Sequence, residues 1–211
     1  SISAIEQLKR IEVIVKLLSK KLKIPISIDT SSSIVAKRCL DLGASIINDV
    51  CALRKDSKLS KMIGRYKAGV VLMHMKKIPR TMQQNPEYDN VILEIINFLD
   101  KVKQKALAAG IHEQSIMLDP GIGFGKTTEH NLKIINHLDK FKILKSPILI
   151  GTSKKSFIGN VLHKQVNERG FGTVVSVIVA VLNGAKIVRV HDVLQTKEAL
   201  QLTWQITRQG L

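Results

Sequence analysis

The amino-acid sequence predicts an α/β protein of the (β/α)8 (TIM) barrel class, in which the first two βα units are missing and strands three to eight are present. Six short β-branched runs alternate with amphipathic helical segments, a pattern typical of parallel sheets. Polar residues follow the carboxyl ends of these runs, where a barrel builds its active site. The chain has 211 residues, fewer than the ~250 of a typical barrel. Alternation alone also fits an open doubly wound sheet.

No linker, repeat or low-complexity segment interrupts this pattern, so we expect a single domain over residues 1–211 that is incomplete at its N-terminal side. Apolar residues at helical spacing predict the first helix, and Pro25 follows its end. The hydroxyl cluster at residues 30–33 could cap the second helix. The predicted strands are 24–29, 45–50, 70–74, 115–119, 148–151 and 186–190, and the predicted helices are 5–22, 34–42, 56–66, 91–109, 129–138, 172–183 and 194–209.

Composition excludes several classes of protein. The 33 Lys and Arg against 17 Asp and Glu give a net charge of +16, but the basic residues are scattered and aromatic residues make up only 4%. We therefore interpret the charge as solvated helix surface and expect no nucleic-acid partner. No run approaches the ~18 apolar residues of a membrane span, so we expect no membrane association. The two cysteines, Cys39 and Cys51, fit neither a disulfide scaffold nor a zinc site and favour a reducing cytoplasmic location.

The segment LDPGIGFGKT, at residues 118–127, is the most informative motif. It is not a Walker A loop, because Pro120 stands where the first glycine is required, and its alternating glycines do not match G-x-G-x-x-G. Asp119 ends a predicted strand, and the glycines after it allow the backbone to approach a ligand closely. A turn with a capping aspartate is the plainer alternative.

Two further segments place cations just after predicted strands. GTSKKSFIG, at residues 151–159, combines hydroxyl groups with two adjacent lysines and suits an anionic or carbonyl ligand, although a solvated lysine pair with a serine cap is equally possible. In VRVHDV, at residues 188–193, Arg189 and His191 alternate with valines and therefore face the same side of a strand. This pair predicts a site for a phosphate-like anion.

Asp29 and Asn48 also stand at strand ends. Each alone is most simply a helix cap, but together with Asp119 they favour a polar pocket at the mouth of a barrel. No metal-binding motif occurs. The histidines at no ligand spacing are expected at the surface, and these are His112, His130, His137 and His163.

In order along the chain, SIDT, IINDV, VLMHM, LDPGIGFGKT, TSKKSFIG and VRVHDV resemble the motifs of dihydropteroate synthases. The resemblance covers nearly the whole chain from about residue 3. The fold of this family is a (β/α)8 barrel, and its TPDSFSDGG-like and GGESTRPG-like loops, which belong to the first two βα units, are absent here. Lys154 stands where many members have arginine.

The resemblance implies condensation of 6-hydroxymethyl-7,8-dihydropterin diphosphate with p-aminobenzoate, which gives 7,8-dihydropteroate and pyrophosphate in folate biosynthesis. Mg2+ would assist the diphosphate, and its family contact lies in the absent N-terminal loop, so no metal ligand is expected in this chain. The implied pterin contacts are Asp29, Asn48, Val50, Met73, Asp119 and Lys155. The implied p-aminobenzoate contacts are Phe124, Lys155 and Ser156, and the implied diphosphate contacts are Arg189 and His191. The implied catalytic residues are Asp29, Lys155, Arg189 and His191.

The mechanism that we expect is dissociative: the diphosphate leaves first, and Asp29 stabilises the resulting pterin cation. The resemblance further implies a homodimer, sensitivity to sulfonamides and a possible upstream fusion to the pterin pyrophosphokinase. One alternative is a pterin-binding domain for methyl transfer to a corrinoid, which would need neither Arg189 with His191 nor the SKKSF loop. A basic nucleic-acid or scaffold protein is a second alternative, and it predicts strongly salt-dependent DNA binding.

Overall fold

The computed structural model describes residues 2–77 and 81–209. Over these residues the chain alternates parallel strands with helices, which confirms the predicted α/β class. The strands are β1 Ser27–Asp29, β2 Ile46–Asp49, β3 Gly69–Met73, β4 Ile116–Asp119, β5 Leu149–Ile150 and β6 Ile187–Val188. The α-helices are α1 Ala4–Lys21, α2 Ser33–Asp41, α3 Leu59–Tyr66, α4 Val91–Ala108, α5 Thr128–Asn136, α6 Ser156–Leu162, α7 Gly170–Leu182 and α8 Val193–Arg208.

The chain divides into two compact units, and the first comprises Ser1–His74 and Asn97–Asp119. Its sheet has the order β1-β2-β3-β4, with all three pairs parallel. Helix α1 packs on α2, and α2 packs on α3. Strand β3 is apolar and buried on both faces from Val70 to Met73, which is typical of a parallel strand that is covered on both sides. Fully buried side chains of this unit include Val35, Ile47, Leu72, Leu99 and Leu118.

The second unit comprises Met75–Ile96 and Pro120–Leu211. Strands β5 and β6 form a parallel pair, α5 packs on α6 and α7, and α7 packs on α8. The apolar core of this unit contains Ile134, Phe141, Ile150, Phe157 and Val177. The single domain expected over residues 1–211 stays a prediction.

The predicted elements agree with the structure to within a few residues, with three differences. Strand β1 is confined to three residues, and β6 to two, so Arg189 and His191 both lie beyond the strand on which they were predicted to alternate. The Arg189 N–H still donates to the Ile150 carbonyl at 2.9 Å. The sequence did not predict α6, because seven residues are too few for a clear helical period. The fifth helix ends at Asn136, and a 3-10 helix, Leu138–Leu144, continues from it.

The capping predicted for the hydroxyl cluster at residues 30–33 is wrong in its detail. Ser32 is the N-cap of α2, but its side chain makes no capping hydrogen bond. The Ser33 N–H instead donates to Asp56 Oδ2 at 2.7 Å, since a carboxylate is the stronger acceptor for a helix N-terminus. No helix within the described residues is both long and apolar enough to cross a membrane.

Candidate active site

In the first unit, the predicted site residues stand at the carboxyl ends of four neighbouring strands. Asp29 lies opposite Asn48 in the β1–β2 register, and Met73 lies opposite Asp119 in the β3–β4 register. Asn48 is also in register with Val71, two residues before Met73. Because side chains alternate along a strand, all four site residues project from the same face of the sheet. The structure therefore brings these four predicted residues together.

Asp29 and Asn48 form the most informative contact of this group. Asn48 Nδ2 donates to Asp29 Oδ1 at 2.8 Å, so neither side chain acts as a simple helix cap. Asn48 is 8% exposed, and its Oδ1 is buried with no donor among the described residues. A buried amide oxygen without a donor is costly, so this atom is a candidate acceptor for a ligand N–H.

Asp49 is a structural anchor to which the sequence analysis assigned no role. Its side chain is 0% exposed and accepts hydrogen bonds from the Ser31 hydroxyl, the Cys51 N–H and the Leu53 N–H, the last at 2.6 Å. Ala52 and Leu53 both have left-handed backbone, with φ of 49° and 59°. Asp49 thus ties the loop after β2 to the loop after β1.

The two apolar residues predicted to line the pterin site differ in burial. Met73 is buried, whereas Val50 is half-buried in the turn after β2. His74, which follows Met73, is buried with its ring edge-on to Phe98 at 4.9 Å. The Arg54 guanidinium lies 4.9 Å from the centroid of the same Phe98 ring. This packing fixes the end of β3 beside Met73.

In the second unit, the glycines after β4 allow a close approach of the backbone, as predicted. The group that the backbone approaches is part of the protein and not a ligand. Gly121, Gly123 and Gly125 have φ of 72°, 80° and 66°, a region that favours glycine. A Cβ at Gly125 would lie 2.8 Å from the carbonyl oxygen of Lys76, and one at Gly123 would lie 3.1 Å from Lys155 Cδ. The alternating glycines thus let the turn pass against these two lysines.

Hydrogen bonds from three side chains hold this turn. Gln83 Nε2 donates to the Gly123 carbonyl at 2.6 Å, and the Tyr88 hydroxyl donates to the Gly125 carbonyl at 2.7 Å. Asn131 Oδ1 accepts from the Gly123 N–H at 2.7 Å. Burial raises the pKa of the Tyr88 phenol well above its usual value, so the hydroxyl stays protonated and able to donate.

His130 and His137 are half-buried, so their expected place on the surface is wrong, whereas His112 and His163 are exposed as expected. The His130 ring lies edge-on to Tyr88 at 4.9 Å, and its Nδ1 accepts from the Thr127 N–H at 3.3 Å. Thr127 in turn caps α5 by accepting from the His130 N–H at 3.2 Å, which completes a capping box. Burial lowers the pKa of His130, because the charged imidazolium is poorly solvated there.

Lys155 is held by the segment that follows β4. Its Nζ donates to the Ile122 carbonyl and lies 4.8 Å from the centroid of the Phe124 ring. A methyl group on Gly151 would lie 4.0 Å from Lys155 Nζ and 3.8 Å from Arg189 Cβ. The structure therefore brings Phe124, Lys155 and Arg189 together. Ser156 is exposed at the start of α6, next to Lys155.

Arg189 and His191 are both exposed, which suits the binding of an anion from solution. His191 Nδ1 lies 2.7 Å from Ser153 Oγ, and the same oxygen accepts from the His191 backbone N–H at 3.3 Å. We assign the Ser153 hydroxyl as the donor to Nδ1, so that Nε2 carries the ring proton and can donate away from Ser153. Sequence reasoning missed Ser153. The neighbouring Asp192 pairs with Lys154 at 3.1 Å.

The two groups differ in chemistry. The group in the first unit is rich in acceptors, with two carboxylates and a buried amide oxygen. The group in the second unit contains Lys155, Arg189 and His191, which are donors to carbonyl and phosphate oxygens. Within residues 2–77 and 81–209, no group of three or more His, Cys, Asp or Glu side chains could hold a metal ion.

The acceptors of the first unit stand at the ends of parallel strands, and the cations of the second unit stand on loops that follow strands, which are the positions where barrel enzymes carry their substrate-binding residues. A family model described as "Pterin binding enzyme" matches residues 1–191. Solved structures with the (β/α)8 barrel fold superpose closely on the chain, which confirms the predicted fold class. The chain is thus a pterin-binding barrel enzyme.

The relatives identify the particular family. The dihydropteroate synthase of Haemophilus influenzae is 38% identical over 206 residues, which cover 98% of this chain and 74% of that protein. The Yersinia pestis dihydropteroate synthase, solved in complex with a sulfonamide drug, has a TM-score of 0.95 and 34% identity, and the match covers 99% of this chain and 75% of that one. The Xanthomonas albilineans synthase, solved with 4-aminobenzoic acid, has a TM-score of 0.91 at 33% identity over 99% of this chain and 74% of that one. This chain belongs to the dihydropteroate synthase family, whose members are transferases of folate biosynthesis.

Proposed function

We propose that the protein condenses 6-hydroxymethyl-7,8-dihydropterin diphosphate with p-aminobenzoate to form 7,8-dihydropteroate and diphosphate. The single observation that carries this proposal is the buried Asn48 Oδ1, which has no donor among the described residues and lies beside the Asp29 carboxylate. A pterin presents ring and amino N–H donors along one edge, which match two such acceptors. Asp119 would extend this acceptor row, and Met73 and Val50 would contact the ring faces.

The diphosphate would bind to Arg189 and His191. Arg189 offers several N–H donors, and Ser153 holds the His191 ring so that Nε2 donates outward. In the first step, the bond between the pterin methylene carbon and the diphosphate oxygen breaks, and the electron pair leaves with the diphosphate. Both donors would stabilise the growing negative charge, while Asp29 would stabilise the positive charge that the pterin acquires.

The amine of p-aminobenzoate would then attack the methylene carbon, form the new C–N bond and release one proton to solvent. Lys155, Phe124 and Ser156 support a site for this second substrate. The Phe124 ring offers an apolar face for the benzoate ring, and Lys155 and the exposed Ser156 offer donors. Lys155 would also donate to the pterin carbonyl, which makes it the residue shared by both substrates.

Magnesium dependence is a further proposal that rests on the family resemblance. Among the described residues no group of three or more His, Cys, Asp or Glu side chains could hold a metal ion, and Mg2+ commonly takes most of its ligands from water and substrate phosphates. No step above therefore involves a metal held by this chain. We propose that Mg2+ is bound by the substrate diphosphate, and titration of Mg2+ against a fixed pterin diphosphate concentration tests this.

The test of the function is formation of dihydropteroate by the purified protein, compared with Asp29→Asn and with Asp100→Asn as a matched control on an exposed position of α4. We expect turnover by the wild type, a roughly 100-fold loss in Asp29→Asn and no change in Asp100→Asn. Pterin binding without product would contradict the synthase function and support the methyl-transfer alternative. Full turnover by Asp29→Asn would contradict the role assigned to Asp29, but it would not contradict the synthase function.

We further propose a homodimer. Exposed apolar side chains gather on α6 and α7, and Phe171 is 80% exposed. Burying such a surface in a second copy would be favourable. Light scattering of the wild type and of Phe171→Asp tests this, and a monomeric wild type would contradict it. The cytoplasmic location, sulfonamide sensitivity and upstream pyrophosphokinase fusion are proposals that rest on the family resemblance alone.

A further inference from the structure

We propose that Arg169 and Thr173, at the start of α7, are positioning residues that hold the Lys154 peptide and thereby orient Lys155 and Ser153. We refer to the two residues as the α7 clamp. The clamp deepens the proposed function, because it acts on residues assigned to that reaction. It rests on contacts within the second unit only.

Lys154 has a backbone conformation that needs support. Its φ is 56°, the left-handed region, which is unfavourable for any residue with a side chain. The Lys154 N–H donates to Thr173 Oγ1 at 3.0 Å, and Arg169 Nη1 donates to the Lys154 carbonyl at 3.0 Å. Both polar groups of the strained residue are therefore bound by α7. Thr173 is 1% exposed, so water cannot replace its hydroxyl at low cost.

The residues on either side of Lys154 make the contacts that the reaction would use. Ser153 Oγ bonds to His191, and Lys155 Nζ bonds to the Ile122 carbonyl beside Phe124. Ser153 and Lys155 are the immediate neighbours of Lys154, the residue with left-handed backbone. A change in the φ of Lys154 would therefore move Ser153 and Lys155 relative to each other.

Gly159 on α6 is part of the same arrangement. A Cβ at this position would lie 2.5 Å from Arg169 Cζ, so the guanidinium fits against α6 only because residue 159 is a glycine. Arg169 Nε also donates to the Lys164 carbonyl at 3.1 Å, which fixes the plane of the guanidinium. Gly159→Ala would push the flexible end of Arg169 away without removing it. Alanine otherwise favours a helix, so a loss of function would not arise from helix propensity.

Four variants separate the clamp from general packing. Gly159→Ala displaces the Arg169 guanidinium. Thr173→Val removes the hydroxyl at nearly constant volume, whereas Thr173→Ser retains it. The matched control is Thr196→Val on α8. Thr196 is 3% exposed, and its hydroxyl donates to the Asp192 carbonyl at 2.8 Å, just as the Thr173 hydroxyl donates to the Arg169 carbonyl at 2.8 Å.

The first readout needs no substrate: the rate at which acetic anhydride acetylates Lys155, followed by mass spectrometry against exposed Lys140 as an internal reference. We expect the rate at Lys155 to rise roughly 5- to 50-fold in Thr173→Val and Gly159→Ala, since each loses one hydrogen bond to the Lys154 peptide. Thr173→Ser and Thr196→Val should retain the wild-type rate. Melting temperatures confirm that each variant is folded.

The second readout is turnover, with kcat and KM measured separately. In Thr173→Val and Gly159→Ala we expect kcat to fall by about the same factor by which the acetylation rate of Lys155 rises. Thr173→Ser should keep the wild-type kcat. An unchanged Lys155 rate in folded Thr173→Val would overturn the clamp, as would an equal rise in Thr196→Val. If the wild type makes no dihydropteroate, the proposed function fails, while the acetylation experiment still decides on the clamp.

Discussion

The two groups of candidate site residues are held in different ways. Asp29, Asn48 and Asp119 end strands of one parallel ladder, so backbone hydrogen bonds between strands set their positions. Lys155 and His191 lie on loops, where side chains bonded to backbone do the same work. Backbone hydrogen bonds between strands form with many different side chains, whereas a loop held by side-chain hydrogen bonds depends on particular residues. The loop group should therefore be the more sensitive to single substitutions outside the substrate contacts.

The largest expected effect is at Gly125, in the turn of the second unit. Gly125→Ala would combine a φ of 66° with a Cβ only 2.8 Å from the Lys76 carbonyl. We expect a loss of about 4 kcal/mol in the free energy of unfolding. The control is Gly110→Ala in the first unit, where φ is 86° but no atom lies within 4 Å. This control should lose only about 1 kcal/mol. Equal losses in urea denaturation would show that strain alone, and not close approach, selects the glycine.

The second expected effect is at Asp49, in the first unit. Although the site residues of this unit end strands, the loop after β2 is held by one particular side chain. Asp49→Asn would replace a buried carboxylate that accepts from three donors by an amide with a single acceptor oxygen. We expect a loss of about 3 kcal/mol in unfolding free energy. Asp56→Asn, whose carboxylate accepts from two backbone N–H groups nearer the surface, should cost about 1 kcal/mol. A larger loss at Asp56 would contradict the anchor role of Asp49.

These differences explain what the sequence could and could not predict. Strand ends are visible in a sequence because β-branched runs stop at a polar residue, so Asp29, Asn48 and Asp119 were found. The alternating glycines at residues 121–125 were also visible, although the group that approaches them belongs to Lys76. The sequence did not reveal the Ser153–His191 bond, because its partners are separated by 38 residues. Short motifs report local geometry, and clamps between distant segments leave no local pattern.

A third prediction concerns that bond. Ser153→Ala removes the hydroxyl that fixes the His191 tautomer, so Nε2 would no longer be held as the outward donor. We expect kcat to fall about tenfold, with little change in KM for p-aminobenzoate. Ser153→Thr retains the hydroxyl and should keep most of the activity. A higher KM for p-aminobenzoate with an unchanged kcat would place the effect at Lys155 and contradict the assignment to His191.

The smallest expected effect concerns the capping box that precedes α5. Capping boxes usually carry Glu or Gln at the third helical position, whereas this chain has His130. Burial lowers the pKa of His130 below its ordinary value of 6.5, so the unfolded chain binds a proton more readily than the folded one. The stabilisation from the neutral ring is therefore fully present above about pH 6.5 and is lost as the pH falls through the lower pKa of the folded protein. His130→Gln keeps the acceptor for the Thr127 N–H but does not titrate. The unfolding free energy of the wild type should fall more steeply between pH 7 and pH 5 than that of His130→Gln, and parallel curves would show that His130 is as well solvated as a surface histidine.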